Sequence, residues 1–291
     1  MNLPSNLLPL VDGDWIVHMA CSAVEYPLLK EWRDNGEVGE QPIASFDETI
    51  SALNYKLAEI VRVLDTYEKP FFFFSGANNF RKDIAITKPY KGNRTHEKPH
   101  HYNNLQLYIE ANYITVLDDN LEADDTMAIW QTESEEYYTE PIHTTCIVTV
   151  DKDLRQVNGW HYSPEGANFP SFGPTYVTDE NSYIELNNKR NKIIGTGWKF
   201  FYSQLLTGDD VDNIPGCPGV GPVKAHTLLA NTTTKGEAYK VVRNAYRGTV
   251  LMADECLLEQ AQLLYMIRRV DDDGQPEMWT PPTMGETNGT T

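Results

Sequence analysis

Short apolar runs alternate with helical segments over the first half of the chain. Strands are predicted at residues 7–11, 71–74, 113–117 and 146–150. Between the first two, Ser45 and Glu48 have the spacing of a capping box, and apolar residues then recur at helical spacing as far as Leu64. Strands separated by helices favour an α/β fold with a mostly parallel sheet covered on both faces. Ligands of such sheets bind beyond the carboxyl ends of the strands.

The pattern becomes helical in the last third of the chain. After a loop rich in Gly, Pro and Asn and a polar stretch, helices are predicted at residues 197–206, 222–230, 237–246 and 255–270. We therefore predict an α/β domain at residues 1–195, a helical module at 196–270 and an acidic tail at 271–291. The tail has no Lys or Arg and little apolar content, so it is predicted to be disordered.

Cysteine spacing and the length of the apolar runs limit the class of protein. The four cysteines lie far apart without a CxxC pair, which favours a reducing cytoplasmic setting, or the host cytoplasm for a phage-encoded protein. The longest apolar run, at residues 70–74, is far shorter than the ~20 residues that a membrane helix needs. We expect no association with a membrane.

Charge is unevenly distributed along the chain. The net charge is -18, which on average argues against a sequence-independent binder of nucleic acid. Residues 81–101, however, carry six Lys and Arg against two acids, whereas residues 118–140 carry nine acids and no Lys or Arg. This separation is typical of a phosphate-facing strip beside a carboxylate cluster that binds divalent cations.

Acidic residues form groups at four places in the chain. Two groups come after predicted strands, one begins a predicted helix and one comes after a predicted helix. They are Asp12 and Asp14; Glu122, Asp124 and Asp125; Asp151 and Asp153; and Asp209, Asp210 and Asp212. Like charges held close together disfavour ionisation unless a cation neutralises them, and oxygen ligands without clustered His or Cys favour Mg²⁺ or Mn²⁺. Each group taken alone also fits a structural role, either in the first turn of a helix or in a tight turn.

Two further motifs indicate contact with phosphate. Gly219 and Gly221 precede Pro222, which suits the first position of a helix, and Lys224 lies in its first turn, so backbone N–H groups could face an anion. A plain glycine-rich turn between helices is the alternative. The basic strip is the second motif, and it is either a solvated loop or a set of cations that steer a polyanion.

Together these motifs resemble the flap-endonuclease-like 5′ nucleases, especially the 5′→3′ exonucleases of tailed bacteriophages. They occur in the family's order: Val11-Asp12-Gly13-Asp14, Phe80-Arg81-Lys82, Tyr90-Lys91-Gly92-Asn93-Arg94, Glu122-Ala123-Asp124-Asp125, Thr149-Val150-Asp151-Lys152-Asp153 and Gly208-Asp209-Asp210-Val211-Asp212-Asn213-Ile214. The resemblance implies a PIN-like α/β nuclease core, a C-terminal helix-three-turn-helix module that grips duplex DNA, two Mg²⁺ or Mn²⁺ ions, and a K⁺ ion at the module. It further implies a monomer that hydrolyses double-stranded DNA at 5′ ends, nicks, gaps or flaps, or RNA–DNA hybrids, during phage DNA replication or recombination.

The resemblance also implies roles for individual residues. The metal carboxylates are Asp12, Glu122, Asp124, Asp125, Asp151, Asp153, Asp209 and Asp212. Lys91 and Arg94 are the catalytic basic pair with Arg81 as a helper, and the nucleic-acid-binding residues are Lys82, Tyr90, Gly219, Gly221 and Lys224. Many relatives have no acid at the positions of Asp14 and Asp210.

One position departs from the family pattern. Where the family usually has an aspartate after the second strand, this chain has Ser75 and Gly76, followed by Ala77, Asn78 and Asn79. Either one metal ion is bound more weakly, or Asp14 or an asparagine takes the place of the missing aspartate.

Two alternatives from other functional classes remain. In a haloacid-dehalogenase-like phosphatase, Asp12 would be the nucleophile and Asp14 the acid, but the group at Glu122 and the glycine turn would be unexplained. A non-catalytic DNA-binding accessory protein is favoured only by the departure at Ser75.

Overall fold

Six strands between residues 7 and 177 form one sheet in the computed structural model, which describes residues 3–93, 97–137, 144–166 and 170–282. The strands are β1 (Leu7–Asp12), β2 (Phe71–Ser75), β3 (Ile114–Asp118), β4 (Thr144–Val148), β5 (Gly159–Ser163) and β6 (Phe172–Val177). Their order is β3-β2-β1-β4-β5-β6, and every pair from β3 to β5 is parallel. The predicted mostly parallel sheet is confirmed. Because these strands run the same way, the carboxyl ends of β1, β2 and β4 lie at one edge.

Helices cover both faces of this sheet. They are α1 (Gly13–Asp34), α2 (Phe46–Leu64), α4 (Tyr102–Asn112) and α5 (Ala123–Tyr137). Side chains alternate along a strand, so Phe72 and Phe74 join a core with α1, α2 and α4, whereas Phe71 and Phe73 contact Trp130 of α5. The predicted cap is present, since Ser45 precedes α2 and its hydroxyl accepts a hydrogen bond from the backbone N–H of Glu48 at 3.5 Å.

A second core is built from helices. These are α3 (Arg81–Ile84), α6 (Gly197–Thr207), α7 (Pro222–Leu229), α8 (Lys235–Arg247) and α9 (Ala253–Leu264), together with the antiparallel hairpin β7 (Tyr183–Leu186) and β8 (Ile193–Thr196). Leu205, Leu229, Val242 and Leu264 are fully buried or nearly so and belong to one apolar cluster. The α/β fold with helices in the last third of the chain therefore matches the sequence prediction.

Some elements differ from the sequence pattern. The loop predicted from its Gly, Pro and Asn content, residues 159–176, contains β5 and most of β6. The pattern missed β5 because a strand buried along its whole length tolerates polar residues such as His161 that find partners in the interior. The polar stretch that follows forms most of the β7–β8 hairpin. Helix α9 ends at Leu264, six residues earlier than predicted, because the side chains of Arg81 and Gln156 donate hydrogen bonds to its last carbonyl groups.

The chain divides into two compact units, each made of several segments. Unit 1 comprises the described residues of Met1–Ala77, Thr95–Val150 and Trp160–Tyr176. Unit 2 comprises those of Asn78–Arg94, Asp151–Gly159 and Val177–Thr291. The basic strip up to Asn93 thus belongs to the helical unit. The division at residues 195 and 270 stays a prediction of the sequence.

The acidic tail is described as far as residue 282. Within it, the Trp279 side chain is 8% exposed and its ring lies 6.0 Å from that of Phe201 and 5.9 Å from that of Tyr239. The composition of the tail predicts disorder, but a single aromatic anchor can dock a polar segment on a core. Among the described helices, none is both long and apolar enough to cross a membrane.

Candidate metal centre and nucleic-acid interface

The predicted metal carboxylates are divided between the two units. Asp12, Glu122, Asp124 and Asp125 belong to unit 1, together with Asp14, whereas Asp151, Asp153, Asp209 and Asp212 belong to unit 2. Each group is built by local turns at the ends of strands or helices.

Asp12 is the last residue of β1 and is 8% exposed. Its Oδ1 accepts a hydrogen bond from the backbone N–H of Trp15 at 2.9 Å, so Asp12 caps helix α1. Its Oδ2 accepts a hydrogen bond from the hydroxyl of Thr149, which follows β4, at 2.8 Å. Two adjacent strand ends therefore fix the orientation of this carboxylate.

Asp14 is held by two neutral donors. The Tyr102 hydroxyl donates to Asp14 Oδ1 at 2.7 Å, and the backbone N–H of Ser75 donates to Asp14 Oδ2 at 3.0 Å. Burial, followed by the charge of Asp14, raises the pKa of Tyr102 well above its ordinary value, so the phenol remains protonated and keeps donating. Asp14 is thereby tied to the end of β2.

Ser75 and Gly76, where the family usually has an aspartate, organise the start of helix α5. The Ser75 hydroxyl accepts a hydrogen bond from the backbone N–H of Ala123 at 3.2 Å. A Cβ at position 76 would lie 2.1 Å from the carbonyl oxygen of Asp118, so only glycine fits this approach. Hydrogen bonds through Ser75 thus connect Asp14 to the turn that carries Glu122, Asp124 and the fully buried Asp125.

In unit 2, Asp151 and Asp153 form a tight turn that begins a short 3₁₀ helix. The backbone N–H of Asp153 donates to Asp151 Oδ1 at 2.8 Å. The buried Asp153 Oδ1 accepts hydrogen bonds from the Lys152 ammonium at 2.8 Å and from Gln204 Nε2 at 2.6 Å. The same ammonium donates to Asp209 Oδ2. Lys152 therefore lies between the two buried carboxylates.

The charges of this cluster shift the pKa values of its members. Burial, then the charge of Asp151, raises the pKa of Asp153 to about 7. Burial acts in the same direction on Asp209, but the Lys152 ammonium and two backbone N–H groups outweigh it and lower the pKa of Asp209. Burial alone would lower the pKa of Lys152, and the neighbouring carboxylates raise it instead. The cluster thus favours a bound cation.

Asp209 begins a closed turn that leads into the glycine-rich segment. Its Oδ1 accepts hydrogen bonds from the backbone N–H groups of Val211 and Asp212 at 2.8 and 3.4 Å. The backbones of Asp209 and Ile214 pair across the turn. At Gly208, with φ +72°, a Cβ would lie 2.3 Å from the Ile214 carbonyl oxygen, which explains the glycine.

The basic strip is attached to this aspartate turn. The Tyr90 hydroxyl donates to Asp212 Oδ2 at 3.0 Å, and the backbone N–H of Lys91 donates to the Asp212 carbonyl at 3.1 Å. Asn93 Nδ2 donates to the Asp210 carbonyl at 2.7 Å, and the Lys91 ammonium lies 4.9 Å from the centre of the Tyr90 ring. The predicted catalytic Lys91 and the predicted metal ligand Asp212 are therefore neighbours. Arg94 lies outside the described residues.

Arg81 has a different environment from the one the sequence predicts. Its side chain is fully buried, and its guanidinium donates to the carbonyl oxygens of Leu263 and Tyr265 at 2.9 and 2.8 Å. It closes the end of helix α9 and stacks on Phe80. In this position Arg81 anchors the end of α9. Its role as a helper of Lys91 and Arg94 stays a prediction. Tyr90, predicted to contact nucleic acid, is also buried, whereas Lys82 is exposed.

Glu259 of helix α9 holds the segment between Arg81 and Lys91. Its carboxylate accepts hydrogen bonds from the backbone N–H groups of Ile86 and Thr87 at 2.7 and 2.6 Å and from the Thr87 hydroxyl at 2.6 Å. The basic strip is therefore attached to unit 2 at Arg81, at Thr87 and at Lys91.

The glycine turn between α6 and α7 is exposed at the predicted positions. Gly219, Gly221 and Lys224 all face solvent, and nothing lies within 4 Å of a Cβ built at either glycine. Pro222 is the first residue of α7, as predicted. Lys224 Nζ donates to the Gly219 carbonyl at 3.4 Å. The turn can approach an extended ligand closely.

Sequence reasoning missed several members of these clusters. Thr149 and Lys152 stand inside recognised motifs, but the contact of Thr149 with Asp12 and that of Lys152 with Asp209 join residues 137 and 57 positions apart. Tyr102 carries no local signal. Gln204 carries one, since it interrupts an apolar run from Phe200 to Leu206 in a helix that is buried along most of its length.

The donor set of unit 2 fits a divalent cation. Carboxylate oxygens are ligands that Mg²⁺ and Mn²⁺ prefer, and a divalent ion would compete with the Lys152 ammonium for Asp153 and Asp209. Within the part of the chain that the structure describes, no three acidic, His or Cys side chains have the arrangement of a preformed metal site. Binding of an ion therefore requires side-chain movement.

Known proteins share sequence and fold with this chain, although no protein-family model matches it. Over 127 residues, 44% of the chain, it is 32% identical to the flap endonuclease Xni of Shewanella pealeana, of which the match covers 44%. Over 228 residues, 76% of the chain, it is 28% identical to DNA polymerase I of Rhizobium leguminosarum, of which the match covers 20%. The chain thus spans less than half the length of the curated relatives it matches.

Structures of the phage T5 5′-exonuclease have the same fold. One with bound divalent metal ions, zinc, aligns over 88% of both chains with a TM-score of 0.53 and 14% identity. Another, a flap endonuclease complex with DNA and metal ions, aligns over 89% of this chain and 88% of that chain with a TM-score of 0.51 and 12% identity. These findings confirm the predicted resemblance to the flap-endonuclease-like 5′ nucleases, to which the chain is related in sequence and in fold.

Proposed function

We propose that this chain is a divalent-metal-dependent 5′→3′ exodeoxyribonuclease and structure-specific 5′ nuclease. One observation carries the proposal. The acidic residues singled out in the sequence lie at strand and helix ends, and the fold is shared with a phage exonuclease whose structures contain metal ions and DNA. The substrate is double-stranded DNA with 5′ ends, nicks, gaps or flaps, and RNA–DNA hybrids are a second substrate. The setting is the cytoplasm, during phage DNA replication or recombination.

Two Mg²⁺ or Mn²⁺ ions are proposed as cofactors. When bound, they would supply Lewis-acid activation of a water molecule and neutralise charge on the scissile phosphate. Asp12, Glu122, Asp124, Asp125, Asp151, Asp153, Asp209 and Asp212 are the proposed direct or water-mediated ligands. Hydrolysis breaks one P–O bond and leaves the phosphate on the 5′ end of the product.

The chain's own residues orient the carboxylates and the phosphate. Thr149 and the N–H of Trp15 fix Asp12, and Gln204 fixes Asp153. Lys91 is proposed to stabilise negative charge that develops on the phosphate, together with Arg94. Single preorganised donors of this kind contribute about 10²–10³ in rate. Arg81 supports the segment from within the core.

The helical unit is proposed to bind the duplex backbone without reading bases. The exposed Gly219, Gly221 and Lys224 suit a phosphate contact at the start of α7, with a K⁺ ion at this turn, and Lys82 adds an exposed positive charge. Binding by a monomer through such contacts weakens as salt rises.

The test is release of nucleotides from 5′-labelled duplex DNA with Mg²⁺, comparing wild type with Asp151→Asn. The amide oxygen introduced by this substitution can still accept the hydrogen bond from the backbone N–H of Asp153, so the turn is retained while one negative charge is lost. We expect cleavage to fall at least ~10²-fold, since even outer-shell metal partners contribute 10–100-fold. Asp272→Asn in the exposed tail is the matched control. Equal cleavage by the Asp151 variant and wild type would remove Asp151 from the proposed site.

Product sizes distinguish the two modes of nuclease action. Blunt, nicked, gapped and flapped substrates with a 5′ label would yield mononucleotides from an exonuclease and flap-length oligonucleotides from a flap endonuclease. Hydrolysis of p-nitrophenyl phosphate without any effect on DNA would contradict the nuclease proposal in favour of a phosphatase.

A non-catalytic DNA-binding protein is the second candidate. Two observations favour it: Ser75 in place of the family's usual aspartate, and Lys152 between two of the proposed metal ligands. Calorimetric titration with Mn²⁺ separates the candidates, because an accessory protein without metals would bind duplex DNA and release no heat with Mn²⁺.

A further inference from the structure

Gln204 is a buried polar residue of helix α6, next to the buried Ser203. Its side chain is 3% exposed, and its neighbours Leu205 and Leu206 are fully buried. Gln204 Nε2 donates to Asp153 Oδ1 at 2.6 Å. Within the described residues, Gln204 Oε1 has no hydrogen-bond partner.

The orientation of this amide follows from its contact. Asp153 Oδ1 also accepts a hydrogen bond from the Lys152 ammonium, so this oxygen is an acceptor and the NH₂ group of Gln204 faces it. The oxygen belongs to the same planar amide and is therefore placed beside the same acidic cluster. Leaving a buried acceptor unpaired costs about 1–3 kcal/mol. Leu or Met would fill the space without this cost.

The cluster around Gln204 has more negative than positive charge. Three carboxylates, those of Asp151, Asp153 and Asp209, lie around the Lys152 ammonium, and the Arg155 guanidinium also interacts with Asp151 and Asp153. A cation that entered here would find carboxylate oxygens, and an amide oxygen is an additional hard donor of the kind that Mg²⁺ and Mn²⁺ accept directly or through a bound water. An unpaired acceptor at this position is thus suited to a cation.

We propose that Gln204 is an additional member of the cation site of unit 2, with a separate role for each end of its amide. Nε2 positions the carboxylate of Asp153, and Oε1 accepts from a water molecule on the divalent ion or contacts the ion itself. This inference rests on the proposed function, because it assumes that the Asp153 cluster binds a divalent ion.

The test measures Mn²⁺ binding by isothermal titration calorimetry on the full chain, without DNA. Gln204→Met keeps the length of the side chain and removes both polar atoms, so we expect the Mn²⁺ dissociation constant to rise about tenfold or more, as for other outer-shell partners. Gln204→Glu keeps an oxygen but replaces the Nε2 donor to Asp153 with a second carboxylate, so we expect this variant to be less stable than wild type in EDTA and to gain more in melting temperature from Mn²⁺. Thermal unfolding in EDTA reports folding separately.

Ser203→Ala is the matched control. Ser203 is the adjacent buried residue on α6, and among the described residues its hydroxyl donates within its own helix, to the Phe200 carbonyl at 2.7 Å. We expect this variant to bind Mn²⁺ as wild type does. Should Gln204→Met not fold, the comparison of Gln204→Glu with wild type and Ser203→Ala decides.

The outcomes separate this inference from the proposed function. If wild type binds Mn²⁺ and Gln204→Met binds it equally well while only its melting temperature falls, Gln204 is merely structural and the inference is overturned. A melting temperature of Gln204→Glu that rises no more with Mn²⁺ than that of wild type would also overturn it, since the side chain at position 204 would then not face the ion. If wild type itself binds no Mn²⁺, the metal site of the proposed function fails as well.

Discussion

The acids of the two units are held by different chemistry. In unit 1, Asp12 and Asp14 accept hydrogen bonds from neutral groups, the hydroxyls of Thr149 and Tyr102 and two backbone N–H groups. In unit 2, the ammonium of Lys152 lies between Asp153 and Asp209. Neutral donors fix the direction of a carboxylate, whereas an ammonium also neutralises its charge. A divalent ion therefore competes with a protein group for Asp153 and Asp209.

Removing the Lys152 ammonium from unit 2 should have the largest effect on stability. In Lys152→Met, Asp153 and Asp209 stay buried without the ammonium, and we expect the free energy of unfolding in EDTA to fall by about 2–3 kcal/mol. This loss is smaller than that expected for a fully buried ion pair, because the Lys152 side chain is 48% exposed. Mn²⁺ should restore more stability to this variant than to wild type. Urea unfolding with and without Mn²⁺ measures both effects.

Lys235→Met provides the control for that variant. Lys235 pairs with Asp179 at 2.6 Å, and both side chains are substantially exposed, so its loss should cost below ~1 kcal/mol and should not respond to Mn²⁺. Equal losses in the two Lys variants would mean that Lys152 is an ordinary surface ion pair.

Stability should fall with rising pH because of Asp153. Its pKa is about 7 in the folded protein, above the ordinary carboxyl value of 3.8, so the folded state retains a proton that the unfolded state has released between these values. The free energy of unfolding then decreases as pH rises from about 4 to 7. The difference between wild type and Asp153→Asn, measured by urea unfolding in EDTA, isolates this contribution. A difference that does not change with pH would contradict the shift.

Removing a neutral donor from unit 1 should have a smaller effect. In Thr149→Val, Asp12 Oδ2 loses a hydrogen bond of 2.8 Å, and we expect the free energy of unfolding to fall by about 1–2 kcal/mol. Thr145→Val on β4 is the control, because the Thr145 hydroxyl makes only a 3.5 Å contact with Gln131. If Thr149→Val were as damaging as Lys152→Met, neutral and charged partners would not differ as proposed.

The smallest effect is expected for the segment that carries Lys91. In Glu259→Ala the carboxylate that binds Ile86 and Thr87 is lost, which should cost about 0.5–1 kcal/mol because the contacts are exposed. Hydrogen exchange should become faster at these two N–H groups. Glu255→Ala, an exposed residue on the same helix, should leave exchange unchanged. Unchanged exchange in the Glu259 variant would mean that other contacts hold the segment.

Much of the sheet and the positions of the acids could be predicted from the sequence. The strands β1, β2, β3 and β4 and helix α2 were within a few residues of their predicted bounds, since periodicity and capping are local properties. The motif order indicated the related family for a similar reason: each motif is a short run of residues. Composition could not predict β5 or the docking of Trp279, because burial of a polar or isolated segment depends on what packs against it.

The sequence by itself determined which residue types stand at the ends of strands and helices, and hence the acidic clusters and the related family. Only the tertiary structure decided which partner each acid has. Gln204 meets Asp153 across 51 positions, Tyr102 meets Asp14 across 88, and Arg81 meets Leu263 across 182. Such contacts depend on how the whole chain packs, and no local pattern specifies them.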